Sequence, residues 1–131
     1  MLNDVIFEGI IVKSWKYADD LLFRLACYRD PDVPQKAPGD VHDAADYVSV
    51  RVPKGNLGAP VVLENGQQIR VHGFLQSRDY EESLADFLKD AKGSLPLPEG
   101  LDPDGLKAQR GTTEIVARRI LLSANGSGKK R

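Results

Sequence analysis

The sequence predicts an all-β fold: one small five-stranded barrel with long loops and a single short helix between the fourth and fifth strands. Three observations carry this. Five segments rich in β-branched or alternating apolar residues are spread along the 131 residues, nearly all prolines and glycines fall between them, and the length suits one core better than two. An open five-stranded sheet exposes its edges, whereas closing it into a barrel removes them. An open sandwich is the structural alternative.

The first strand, Leu2 to Val12, is apolar and carries Gly9 in its middle, where a glycine marks a bulge or a tight barrel bend. The second runs from Leu21 to Arg29. The third, Tyr47 to Val52, alternates strictly and stops at Pro53, which has no N–H to give to a ladder. The fourth, Gln68 to Tyr80, follows an Asn65-Gly66 turn signal, and the fifth spans Thr112 to Ser123. Between the second and third strands, Asp30 to Asp46 holds Pro31, Pro34, Pro38 and Gly39 without periodicity and reads as an extended loop. The segment Glu81 to Gly111 places Ser83, Leu84, Phe87 and Leu88 at helical spacing before Pro96, Pro98 and Pro103 break the pattern. Residues 1–123 thus form one domain, and 124–131, ending in Lys129-Lys130-Arg131, a flexible basic tail.

Hydrophobic residues make up 41% and charged residues 28%, which excludes wholesale disorder. The single cysteine, Cys27, cannot form an internal disulfide, so a cytoplasmic setting is expected. No leader pattern follows Met1, and no window approaches the roughly 18 apolar residues that span a bilayer, so no membrane association is expected. The net charge of −1 argues against a polyanionic partner until its distribution is read. Asp30 to Asp46 holds five acids against Lys36, a net of −4; Asp79 to Asp104 holds eight against Lys89 and Lys92, a net of −6; the rest is therefore +9. Each acidic loop alone is an ordinary solvated loop. Together they segregate from basic strands.

Alternation assigns a face to each strand residue. Leu21, Phe23, Leu25 and Cys27 point inward, with Leu22, Arg24, Ala26 and Tyr28 outward; Val48, Val50 and Val52 point inward, with Tyr47, Ser49 and Arg51 outward. On the fourth strand Ile69, Val71, Gly73 and Leu75 form the inner row, and Arg70, His72, Phe74, Gln76, Arg78 and Tyr80 the outer one. Three successive strands are thus expected to gather arginines and aromatics on one outer surface. Arginines neutralise phosphates and aromatic rings stack any base, at about 1–3 kcal/mol each. The predicted binding residues are Trp15, Arg24, Tyr28, Tyr47, Arg51, Arg70, Phe74, Arg78 and Tyr80. Alternative places are a half-buried position under the long loops for Tyr28 and Tyr47, a subunit interface for Phe74, and the interior of a turn for Trp15, which has Lys13, Lys16 and Tyr17 beside it.

Catalytic patterns are scarce. His42 and His72 lack Cys-x-x-Cys, His-x-x-x-His or Gly-x-x-x-x-Gly-Lys companions, so no metal, cofactor or small-molecule substrate is expected, and no enzymatic activity. Cys27 reads as a buried structural thiol. The cluster of Asp79, Glu81 and Glu82 reads as solvated acid beside a loop.

Four segments in order resemble bacterial single-stranded DNA-binding proteins: Met1-Leu2-Asn3-Asp4-Val5-Ile6-Phe7-Glu8-Gly9, Phe23-Arg24-Leu25-Ala26, Val71 to Tyr80, and Thr113-Glu114-Ile115-Val116-Ala117. Asn3, Gly9, Gly73, Arg78 and Glu114 anchor the likeness. It implies an OB-fold that assembles into dimers or tetramers and binds single-stranded DNA in replication, recombination or repair, with Tyr47 and Tyr80 at base-stacking positions. Departures accompany it. Pro53 stands where the family usually has another stacking aromatic, an Asp-Pro-Glu after the first strand is missing, Gly55 to Gln68 shows no helical pattern, Ser83 to Gly111 is long, and the end is basic rather than acidic and Phe-terminated. These departures suit a divergent member without the family's acidic tail. A primosomal-type OB-fold adaptor with weak DNA binding is the first rival reading, and a nuclease using the acids near Asp79 the second.

Overall fold

The structure is a computed structural model that describes residues 1–34, 36, 44–54, 63–93 and 96–123. Of the expectations above, the basic tail, His42 and most of the segment after Lys54 lie outside the described residues. The elements are β1 (Val5–Tyr17), β2 (Asp20–Tyr28), β3 (Ala45–Val52), β4 (Gln68–Ser83), α1 (Leu84–Asp90) and β5 (Lys107–Leu122). The strands close into a barrel in the order β1-β2-β3-β5-β4. β1 pairs antiparallel with both β2 and β4, and β3 pairs parallel with β5 through Val50 opposite Ile115 and Arg51 opposite Val116. This is an OB-fold barrel with one short helix between β4 and β5, as the sequence predicts.

The interior is the apolar row of each strand. Ile11, Phe23, Leu25, Val50, Ile69, Val71, Ile115 and Ala117 are buried together, which is the period-two pattern realised as a core. Two glycines let backbones approach closely across it. A Cβ on Gly9 would lie 2.5 Å from the Ala26 carbonyl oxygen, and one on Gly73 2.0 Å from that of Val116. Gly9 is therefore a close-approach residue rather than a bulge.

The bulge lies three residues on. Ile11 faces Leu25 but Lys13 faces Arg24, so Val12 is the extra residue. β1 also continues past the predicted end to Tyr17, which faces Asp20, so Trp15 stands on a strand opposite Leu22 and not in a turn. Before the bulge the even-numbered residues face outward; after it Lys13, Trp15 and Tyr17 do. Leu22 and Ala26, expected outside, are buried, and Leu75, expected inside, is exposed.

The chain divides into two compact units, Met1–Gln76 with Glu114–Arg131, and Ser77–Thr113. The whole apolar core belongs to the first. Within the second, Ser83 caps α1 reciprocally: its hydroxyl accepts from the Asp86 amide at 3.0 Å and its own amide donates to the Asp86 carboxylate at 3.4 Å. The Leu84 amide donates to the Leu106 carbonyl at 2.8 Å, and Arg110 to Glu82 at 3.0 Å. A cavity of about 390 Å³ lined by Leu84, Phe87, Leu106 and Ala108, with Lys107 and Arg110 among its polar walls, lies in this unit.

Candidate nucleic-acid interface

Cross-strand register sets the site. Arg24 faces Ser49, Ala26 faces Tyr47 and Tyr28 faces Ala45, so Arg24, Tyr47 and Tyr28 share the outer face of β2 and β3. Arg24 and Tyr28 lie four residues, or about 13 Å, apart along β2. Tyr28 is 61% exposed and Tyr47 39%. The Arg24 guanidinium donates to the Ser49 hydroxyl at 3.4 Å and lies 5.5 Å from the Tyr47 ring centroid. A cation is thus held beside a partly exposed aromatic ring, which the Lys36 ammonium also approaches, at 5.7 Å from its centroid.

The Val12 bulge adds β1 to this face. Lys13 is opposite Arg24, and its ammonium lies 5.6 Å from the Trp15 ring. Tyr17, absent from the predicted set, is also exposed.

Arg51 is a correction. Expected outside as a phosphate contact, it is 9% exposed. Its Nε donates to Glu114 at 2.6 Å and its Nη1 to Asp20 at 2.8 Å, while the Tyr17 ring lies 6.0 Å from the guanidinium. Gln76 donates to the same Glu114 oxygen at 2.9 Å. The cause is the length of β1: its hairpin with β2 sets Tyr17 and Asp20 beside Arg51. Hydrogen bonding to Glu114, and next to Asp20, raises the Arg51 pKa further above its ordinary value, and the Arg51 bond holds the Asp20 carboxyl below its own.

The fourth strand is a second correction. It follows β3 in sequence, but β5 lies between them in the barrel, so Arg70 and Phe74 are not on the β2–β3 face. Arg70 lies 3.5 Å from Glu8, opposite it on β1. Phe74 instead has the Arg118 guanidinium 5.1 Å from its ring, a pair to which the prediction supplied only the phenylalanine. The alternation of Glu114, Val116 and Arg118 against Ile115 and Ala117 was the available signal for Arg118. Arg78 and Tyr80 belong to the second unit, where Tyr80 is exposed and Arg78 half-buried.

Cys27 is half-buried, and burial, followed by the charges of Asp46, Asp30 and Glu8, pushes its thiol pKa up, which disfavours the thiolate. Among the described residues no cluster of histidine, cysteine and acidic side chains has the geometry of a metal site. No helix among them is long and apolar enough to cross a membrane.

No family model matches the chain, and no curated protein is significantly similar to it. Among solved structures it is similar to the Plasmodium falciparum SSB complex with ssDNA, at 15% identity and a TM-score of 0.51, over 94% of this chain and 96% of that one. The likeness is one of fold.

Proposed function

We propose that this chain is a non-enzymatic OB-fold protein that binds single-stranded DNA with little sequence preference, along the outer face of β2 and β3. The observation that carries the reading is the Arg24–Tyr47 pair, a guanidinium 5.5 Å from an exposed ring on the face that OB-folds use for oligonucleotides. Arg24 and Lys13 supply phosphate contacts; Tyr47, Tyr28 and Trp15 supply stacking platforms. Such a face tolerates any base, because every base has a π-surface. The resemblance in sequence and the fold shared with a protein solved on ssDNA support the same reading. A homo-oligomer acting in replication, recombination or repair is part of it.

The test is fluorescence titration with dT oligomers of graded length across a salt series. Binding that weakens steeply with salt is expected. Salt-independent binding, or none, sinks the proposal. A second reading, the adaptor, is favoured by the apolar cavity beside α1, with Phe87 and Leu106 exposed around it. Pull-down with and without nuclease separates the two: partners retained after nuclease belong to the adaptor.

A further inference from the structure

β2 serves as a ruler for the outer face. Its even-numbered residues point to that side and mark one row every two residues, or about 6.7 Å. Tyr28 stands on the first row, and Tyr47 on the second, opposite Ala26. The third row carries Arg24 with Ser49 on one side and Lys13 on the other. Beyond the Val12 bulge, Trp15 takes the fourth row, opposite Leu22, and Tyr17 the fifth, opposite Asp20. Two aromatic rows therefore lie on either side of the Arg24–Lys13 row, and the row spacing is close to that of successive nucleotides in a stretched single strand.

Tyr17 closes this series at the β1–β2 hairpin, and its ring is not left to swing there. The buried Arg51 guanidinium lies over it, 6.0 Å from the centroid. That guanidinium is itself fixed, by Glu114 at 2.6 Å and by Asp20 at 2.8 Å, and Asp20 is the cross-strand partner of Tyr17. The Asp20 carboxylate also accepts from the Lys54 amide at 3.3 Å. One face of the ring thus rests on a held cation, while the residue as a whole is 63% exposed. A ring oriented before a ligand arrives loses less freedom when a base stacks on it.

We propose that Tyr17 is the end platform of the strand track, that Arg51 is the residue that positions its ring, and that one chain holds about five nucleotides, one to a row. This rests on reading the β2–β3 face as the strand-binding surface. Arg51 then serves binding without touching a phosphate, through the ring in front of it.

The test is titration with dT oligomers of graded length, followed by quenching of Trp15, the single tryptophan of the chain. Tyr17→Leu weakens the dT pentamer by about five- to 150-fold and the octamer by no more than the pentamer, while the trimer stays within about twofold of native, because two of its three placements on the rows stop short of Tyr17. Tyr17→Phe, which keeps the ring, binds the pentamer within about twofold of native. Arg51→Met, assayed while folded, loses part of the same pentamer affinity and adds nothing to the loss in Tyr17→Leu. Additive losses overturn the positioning role of Arg51. A Tyr17→Leu variant that loses as much on the trimer as on the pentamer, or a Tyr17→Phe variant as weak as Tyr17→Leu, overturns the platform. The two levels of failure are distinct. A native chain that binds no dT overturns the reading of the face and the platform with it, whereas a native chain that binds the pentamer no better than Tyr17→Leu does overturns the platform alone.

Discussion

Arg51 donates to Glu114 at 2.6 Å across the parallel β3–β5 pair, with the carboxylate 2% exposed. Removing one member of a buried pair leaves the other charge uncompensated, which costs about 3–5 kcal/mol. Glu114→Ala is expected to lose less than that in urea unfolding, because Asp20 still holds the Arg51 guanidinium at 2.8 Å. Arg51→Met, assayed while folded, is expected to keep the native salt slope for dT binding. A slope reduced by one phosphate contact would return Arg51 to the binding surface.

Asp20 accepts from the same guanidinium, and this lowers its pKa, with a smaller contribution from the Lys54 amide. A carboxyl depressed by folding stabilises fully above its unfolded pKa of about 4 and loses that contribution as pH falls through the lower folded value. Chemical denaturation between about pH 5 and pH 2 should therefore show native stability falling more steeply than that of Asp20→Asn. Parallel curves would mean that the Asp20–Arg51 bond is not formed in solution.

Gly73 and Gly111 lie on neighbouring strands of the barrel but face opposite fates on substitution. A Cβ at Gly73 meets the Val116 carbonyl oxygen at 2.0 Å, and backbone cannot give way as a side chain can; at Gly111 the nearest atom is an Asp79 carboxylate oxygen at 3.6 Å. Gly73→Ala is expected to cost about 3 kcal/mol or more, and Gly111→Ala to fall within about 0.5 kcal/mol of native or to stabilise. Thermal melts of the two variants decide it.

On the binding face, Tyr47→Ala is expected to weaken dT binding by about 1–3 kcal/mol. Arg70→Ala serves as the contrast: Arg70 is off the β2–β3 face and beside Glu8, so dT affinity should stay within about twofold of native, the scale of a surface ion pair. Equal losses at both positions would spread the interface around the barrel.

The strands were legible because apolar residues alternate in them, and the same alternation placed Arg24, Tyr28 and Tyr47 on the outer surface. What sequence order hid was non-local. That β3 takes β5 as its parallel neighbour depends on contacts between residues some 65 apart, such as Val50 with Ile115, and this pairing removed Arg70 and Phe74 from the expected surface. The burial of Arg51 likewise depended on where β1 ends. The mostly apolar run from Val5 to Val12 gave no hint that Lys13 to Tyr17, all polar or aromatic, would continue the strand.

The Val12 bulge makes residue count, as well as residue identity, a carrier of information in β1. Every side chain from Lys13 to Tyr17 takes its side of the sheet from one supernumerary residue. Deleting Val12 would close the bulge into a regular ladder, with Ile11 opposite Leu25 and Lys13 still opposite Arg24, so Trp15 and Tyr17 would keep their side of the sheet. Pairing Val12 itself with Arg24 would instead turn Ser14 and Lys16 to the surface now held by Trp15 and Tyr17 and aim the indole at the barrel interior. The unpaired residue is therefore what lets a strand of this length present Trp15 outward.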